Sequence, residues 1–210
     1  MTKYLLTLLC IASTNMLFAT DFITRWDMSK PGGNPTEITF GVGTTGIVNY
    51  TWETVPAGTN GSGTFTGTTA TITGFPANAI IRLHIDSANF NRINTSYGTI
   101  DYTRLVDIEN WGTIVWSSMA LAFAGCENLQ ISASDTPDLS NVSDVSQMFT
   151  WCFSLNGPSN INTWNMSNVN NVGGMFDGAT SFNQPIGNWN TSNVTNMSFM
   201  FYQATKFNQP

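Results

Sequence analysis

The stretch MFDGATSFNQPIGNWNTSNVTNMSFMF, residues 175–201, begins and ends on the same pair, a methionine followed by a phenylalanine. Similar segments precede it, and together they place a phenylalanine at four equivalent positions: Phe123, Phe149, Phe176 and Phe201. The steps between these residues are 26, 27 and 25. A near-constant period of this size indicates repeats, each of which buries its apolar face only by stacking on its neighbours. The pattern argues against a compact catalytic domain in this half of the chain.

Apolar residues around each phenylalanine predict a short helix in every repeat. Counted from the phenylalanine, they recur at positions −7, −4, 0 and +3, as Val169, Val172, Phe176 and Ala179 do. Side chains at these spacings share one face of a helix. Further apolar residues at −15, −12 and +6 lie outside that helix and predict a short extended stretch or turn. Each repeat is therefore predicted as a short strand, a polar turn and a helix.

The polar turn before each predicted helix is recurrent, as in Ser167-Asn168 and Ser192-Asn193. A Ser or Asn oxygen at this place can accept an otherwise unpaired backbone N–H at the start of a helix. We therefore expect these residues to cap helices rather than to bind a ligand.

Residues 175–201 resemble the repeats of the BspA-like leucine-rich-repeat surface proteins of bacteria. The segment AFAGCENLQI, residues 122–131, resembles the related form of that repeat, A-F-x-x-C-x-x-L. The resemblance covers roughly residues 105–210 and implies a secreted or surface-attached protein with a curved repeat domain, often linked to adhesion. It implies no catalytic residues. The second repeat departs from the pattern, with Ser134 and Pro137 where isoleucine and tryptophan are expected.

Residues 1–20 read as a secretory signal peptide, with Lys3 before an apolar stretch that is too short to span a bilayer. The alternative is an uncleaved anchor. Residues 21–104 are rich in Thr, Ile, Val and aromatic residues and are punctuated by Gly, Pro and Asn, which predicts a small antiparallel β-sandwich. The predicted strands cover residues 37–42, 47–54, 63–72 and 79–86.

The predicted fold class is thus α+β. An N-terminal antiparallel β-sandwich-like domain (21–104) precedes a leucine-rich-repeat-type α/β solenoid (105–210), which we expect to be truncated at Pro210 within a repeat.

Composition and motifs favour binding over catalysis. The net charge of −6 makes nucleic acid a poor partner, because phosphate contacts need clustered Lys and Arg. His84 is the only histidine and lies in an alternating strand pattern, so it lacks the partners of a zinc site or a catalytic triad. The acids that could be imagined as calcium ligands do not follow EF-hand spacing, and we expect turn roles for them: Asp101, Asp107, Glu109, Asp135 and Asp138. We predict no catalytic residue, no metal site and no cofactor.

Cys126 and Cys152 occupy the same position, +3, in adjacent repeats. Stacked repeats about 5 Å apart would bring their Cα atoms within disulfide range. The alternative is two buried free thiols, since Ala179 and Ala204 hold this position in the later repeats.

Residues that follow the phenylalanines vary between repeats and are the candidate binding surface: Thr150, Trp151, Asp177, Gly178, Tyr202 and Gln203. Trp151 and Tyr202 are candidate anchors, because aromatic residues dominate interface energetics. The alternative is that both pack against neighbouring repeats.

Three functions remain open from the sequence. The first is a non-enzymatic, secreted or cell-surface protein that mediates adhesion or protein–protein binding, with a protein or glycan of a host or microbial surface as partner. The second is a carbohydrate-binding protein that presents Trp26 or Trp52 to sugar rings. The third is a structural spacer that displays a further C-terminal domain.

Overall fold

The computed structural model describes residues 20–95 and 100–210, so the predicted signal segment lies, apart from Thr20, outside the described residues. Within these ranges the chain forms nine strands: β1 (Phe22–Asp27), β2 (Glu37–Thr44), β3 (Val48–Thr54), β4 (Asn60–Phe65), β5 (Thr69–Thr73), β6 (Ile80–Ile85), β7 (Phe90–Asn94), β8 (Leu105–Asn110) and β9 (Gln130–Ile131). Two short 3₁₀ turns, Asp101–Arg104 and Ile161–Thr163, complete the regular elements.

The strands form two sheets. The larger has the order β4-β3-β6-β1-β8-β9 and the smaller has the order β5-β2-β7. Neighbouring strands are antiparallel, except that β8 and β9 run parallel. Strand β1 shows why these segments become strands: Phe22, Thr24 and Trp26 alternate with half-buried residues, so one face enters the core.

Aromatic pairs fill the core of this β-rich sandwich. The rings of Trp26 and Phe40 stack with centroids 5.6 Å apart, and Phe65 meets Phe90 edge to face at 6.0 Å. Offset and edge-to-face arrangements at these distances are the favourable ones for aromatic pairs.

Three of the predicted strand segments correspond to β2, β3 and β6. The fourth, residues 63–72, overlaps two strands instead, β4 and β5. Gly67 lies between them with a φ of +89°, a backbone conformation that glycine adopts without a steric penalty. The chain therefore turns where the composition alone suggested a continuous strand.

The predicted α+β class with an α/β solenoid is wrong. The structure is nearly all β, and the described residues contain no α-helix. The apolar spacing of 3, 4 and 3 arises instead from successive four-residue turns. Around Phe123, for example, Ala122 donates its N–H to the Met119 carbonyl at 3.1 Å, and Cys126 donates to Phe123 at 3.1 Å.

Left-handed residues stop these turns from continuing as a helix. Two positions, −2 and +2 from each phenylalanine, have φ between 54° and 81° in all four repeats: Leu121, Gly125, Gln147, Trp151, Gly174, Gly178, Phe199 and Gln203. A positive φ at the third residue of a four-residue turn is the geometry of a type II turn. It cannot belong to a right-handed helix.

Backbone hydrogen bonds join each repeat to the next. Phe149 donates its N–H to the Met175 carbonyl at 2.9 Å, and Trp151 donates to Asp177 at 2.7 Å. Equivalent bonds occur two residues apart along the first three repeats, and parallel bridges join Asp144 to Asn171 and Asn171 to Asn196. The repeats are thus paired edge to edge, as strands are, rather than packed as helices.

The four phenylalanines form one row. Adjacent ring centroids are 5.8, 5.8 and 5.7 Å apart from Phe123 through Phe201, with interplanar angles of 18° or less. The row follows from the backbone pairing, which sets equivalent side chains one above another.

The recurrent polar residues stabilise turns, not helix ends. Asn165 and Asn190 each accept the N–H of the residue two positions later through Oδ1, at 3.2 and 3.1 Å. Asn168 and Asn193, which we predicted as part of a cap, donate their side-chain amides to the carbonyls of Ser140 and Ser167 in the preceding repeat, both at 2.6 Å. Their role is structural, although the element they support is different.

The first repeat continues the larger sheet. Strand β8 begins at Leu105 and pairs with β1, and β9 extends the same sheet. Within residues 20–95 and 100–210, no helix has the length and apolar character needed to cross a membrane.

Candidate binding groove

A concave, mostly apolar depression with a volume of about 380 Å³ lies on one face of the repeats. We call it the repeat groove, and its lining residues are Tyr102, Leu121, Ala124, Gly125, Glu127, Gln147, Thr150, Trp151, Phe153 and Asp177. Pockets that hold small ligands or side chains have volumes of about 300–1,000 Å³, so the groove is at the small end of that range.

Equivalent repeat positions line the groove. Thr150 and Asp177 each follow a phenylalanine by one residue, and Glu127 and Phe153 each follow one by four. Because neighbouring repeats are paired in register, residues at equivalent positions are brought side by side. The groove is therefore a product of the repeat pairing.

Two aromatic rings lie over left-handed glycines. A Cβ added to Gly125 would come within 3.1 Å of the Tyr102 ring, and one added to Gly178 would come within 2.6 Å of Trp151 Cδ1. Both glycines occupy position +2, with φ of +81° and +70°. Glycine at these two places lets each ring lie directly against the backbone and form part of the groove.

Trp151 itself occupies position +2 of the second repeat and has a φ of +58°. A bulky residue in this conformation costs on the order of 1–2 kcal/mol, a kind of strain that concentrates at functional sites. Trp151 is 56% exposed and neighbouring Phe153 is 46% exposed. The strained backbone thus holds a large aromatic ring at the surface.

The charged groups of the groove are both acidic. Glu127 and Asp177 line it, and none of the lining residues within 20–95 and 100–210 is Lys, Arg or His. Neither carboxylate takes part in an ion pair with any residue in the ranges that the structure describes. Partial burial raises the pKa of Asp177 above its ordinary 3.8, because desolvation disfavours the charged form.

Glu109, outside the groove, shows the opposite situation. Burial alone would raise its pKa, but hydrogen bonds from Arg82 and Arg25 outweigh that effect and hold the pKa below its ordinary 4.5. Arg82 Nε donates to Glu109 Oε2 at 2.5 Å. Asp177 in the groove has no such hydrogen bonds to offset the effect of burial on its pKa.

The groove brings together three of the predicted binding residues, Thr150, Trp151 and Asp177. Thr150 is buried and donates its hydroxyl to the Gly174 carbonyl at 2.7 Å, so its role is structural. Gly178 lies beneath the Trp151 ring. Tyr202 and Gln203 are exposed but lie outside the groove lining.

Sequence reasoning missed several lining residues, among them Tyr102, Glu127 and Phe153. The last two share position +4, so the repeat template could have identified them. No repeat signal points to Tyr102, because it precedes the first repeat.

A second exposed aromatic group lies in the last repeat. Phe199 is 71% exposed and Tyr202 is 55% exposed, and their rings meet edge to face with centroids 5.8 Å apart. Single exposed apolar side chains are common, but adjacent ones that form a contiguous patch are typical of interaction surfaces.

Cys126 and Cys152 are both free and buried. Desolvation raises the pKa of Cys126 to about 12 and that of Cys152 well above its ordinary value. The Cys126 sulfur is 3.2 Å from the Thr95 hydroxyl, and the Cys152 thiol donates to the Phe123 carbonyl at 3.1 Å. Both side chains therefore behave as small core residues, and their pairing as a disulfide stays a prediction.

Other residues considered in the sequence have structural surroundings. His84 Nδ1 is 3.7 Å from the Asp21 carboxylate, and the described residues contain no group of three or more His, Cys, Asp or Glu placed to hold a metal. Asp135 accepts the N–H groups of Trp111 and Gly112. Trp26 is fully buried, whereas Trp52 is 5% exposed and lines a shallow depression of the sandwich together with Glu53 and His84.

No curated protein and no solved structure matches this chain. One family model does, under the description "Mycoplasma protein of unknown function, DUF285", and it matches residues 102–210. The matched range is just over half of the chain and holds all four phenylalanine repeats together with every residue of the repeat groove. The chain therefore belongs to the DUF285 family.

Proposed function

We propose that this protein is a non-enzymatic binding protein of the BspA-like type, exported to the cell surface or secreted, which attaches to a protein partner through its repeat face. The single observation that carries this proposal is the aromatic surface that the paired repeats present to solvent. Trp151, Phe153, Phe199 and Tyr202 are all large, and each is more than two-fifths exposed.

The energetics of interfaces support this reading. A few aromatic anchors provide most of the binding energy in protein complexes, and they gain it only when a partner covers them. Leaving such rings in water contributes nothing to folding. Their exposure on a rigid, paired backbone is what a preformed binding surface requires.

The resemblance of residues 175–201 to the repeats of BspA-like surface proteins supports the cellular location and the link to adhesion. The N-terminal segment 1–20, which has the composition of a secretory signal, supports export.

Adhesion of protein-coated beads to cultured cells and to immobilised extracellular matrix proteins tests the proposal. The test variant combines Trp151→Ser, Phe199→Ser and Tyr202→Ser, and the matched control is Ile47→Ser, which removes an exposed apolar side chain (63% exposed) from the sandwich. We expect the wild-type chain and the control to adhere equally and the triple variant to lose most adhesion. Equal adhesion of the folded triple variant would overturn the proposal.

A further inference from the structure

We infer that the repeat groove accepts a cationic side chain, arginine or lysine, presented by a basic polypeptide segment. This inference rests on the proposed binding function and goes further by naming the chemistry of the partner. It follows from the charge of the groove, from its aromatic rings and from its apolar lining.

Charge favours a cation. Glu127 and Asp177 contribute two carboxylates, and among the described residues no basic side chain lines the groove to neutralise them. The chain as a whole carries −6, so its long-range field also attracts positive partners. The raised pKa of Asp177 reflects a partly desolvated, uncompensated carboxylate, which a bound cation would stabilise.

The aromatic rings favour the same ligand. Tyr102 and Trp151 both line the groove, and Trp151 is 56% exposed, so its ring is accessible to a group that enters the groove. Tryptophan is the best aromatic partner for a cation placed over its face, followed by tyrosine, and arginine is the cation found there most often.

The apolar part of the lining suits the remainder of such a side chain. Leu121, Ala124 and Phe153 line the groove beside the acids and the rings. Arginine and lysine carry a methylene stem below the charged group, and the stem gains from apolar contact while the head stays near the carboxylates. A glutamate or aspartate side chain would meet two like charges, and a neutral polar side chain would leave both acids unpaired.

The chain contains a built-in reporter for this site. Trp151 is 56% exposed, whereas the other six of the seven tryptophans are at most 7% exposed. Its indole N–H signal in a ¹⁵N–¹H spectrum, assigned by its loss in Trp151→Phe, therefore reports on the groove with little interference.

The test titrates the full chain with short glycine–serine peptides that differ only in one central residue: arginine, lysine, citrulline or glutamate. Citrulline has the shape of arginine without its charge. We expect the arginine and lysine peptides to shift the Trp151 indole signal in a saturable way. We expect binding about tenfold weaker for citrulline, which is the loss of roughly 1.4 kcal/mol, and no shift for glutamate.

Two isosteric variants locate the cation. Glu127→Gln and Asp177→Asn each remove one groove charge without changing size, and each should weaken arginine-peptide binding about fivefold to tenfold. Glu37→Gln is the matched control, because it removes one acid from β2, outside the groove lining, and should leave binding unchanged. Thermal unfolding of every variant shows whether it remains folded.

The outcomes separate this inference from the proposed function. Equal shifts by the arginine and citrulline peptides, or no shift by any peptide, would overturn the cationic ligand. Adhesion that depends on the repeat face would survive any of those results. Conversely, peptide binding at Trp151 without adhesion would leave the cationic site in place and overturn the surface role.

Discussion

Asp177 shows how binding and stability oppose each other at a single residue. Its raised pKa means that the folded state holds the charged carboxylate less favourably than the unfolded chain does. Wild-type stability therefore falls as the pH rises through the interval above the ordinary pKa of 3.8. This cost is consistent with a group retained for a ligand rather than for the fold.

We predict that Asp177→Asn is more stable than the wild type at pH 7. The gain should be under about 1 kcal/mol, because the carboxylate remains largely hydrated. It should disappear below the ordinary pKa of 3.8, where both proteins are neutral at this position. Chemical denaturation of the two proteins from pH 3 to pH 8 measures the difference. A gain that grows toward acid pH would contradict this account of Asp177.

Gly178 shows how one missing side chain positions a ring. We predict that Gly178→Ala destabilises the protein by roughly 1–2 kcal/mol from its left-handed backbone alone. An additional loss should come from the Cβ, 2.6 Å from Trp151 Cδ1. The Trp151 indole signal should move as well. Denaturation and the ¹⁵N–¹H spectrum measure the two effects.

Gly67→Ala is the control for this prediction, because Gly67 has a φ of +89° and an added Cβ there meets nothing within 4 Å. It should show the backbone cost and no change at Trp151. If the two variants lost the same stability and neither moved the indole signal, the contact between Gly178 and Trp151 would be misplaced.

At the scale of the elements, Trp164 tests how the repeats pack. It is 2% exposed, and its ring meets Trp111 at 5.5 Å and Phe149 at 6.3 Å. We predict that Trp164→Ala costs about 3–5 kcal/mol, the usual range for a large buried aromatic. Urea unfolding followed by circular dichroism measures the loss. Trp151→Ala, at an exposed ring, should change stability by less than about 1 kcal/mol. Similar small losses in both variants would show that Trp164 is not a core residue.

The repeat element could be predicted only in part. The spacing of the phenylalanines indicated repeats that stack on their neighbours, and the rings of adjacent repeats do stack in one row. The helix was wrong because an apolar spacing of 3, 4 and 3 also suits successive four-residue turns. Deciding between them depended on backbone conformation at Leu121, Gln147 and Phe199, residue types that seldom adopt a positive φ.

The groove was also predictable in part, for a related reason. Trp151 and Asp177 follow the phenylalanines in variable positions and were identified from that pattern. Tyr102 was not, because it enters the groove from the 3₁₀ turn before β8. Contacts between a repeat and a segment outside the repeats leave no periodic signal.

At the scale of the whole molecule, the sandwich and the repeats share one apolar core within the part of the chain that the structure describes. Strand β8 pairs with β1 on one side and β9 on the other, so the first repeat is built on the larger sheet. The sandwich therefore covers the edge of the first repeat that faces away from the second repeat. This arrangement also explains how a residue that precedes the repeats can line a groove on their face.

Backbone pairing between neighbouring repeats, and not helix packing, builds the face that carries the groove. Long-range HNCO spectroscopy detects the coupling across an individual hydrogen bond and tests this claim directly. The account predicts a correlation from the Phe149 amide to the Met175 carbonyl carbon, in agreement with their 2.9 Å contact. A correlation from Phe149 to the Val145 carbonyl, the bond that a helix would form, would contradict it.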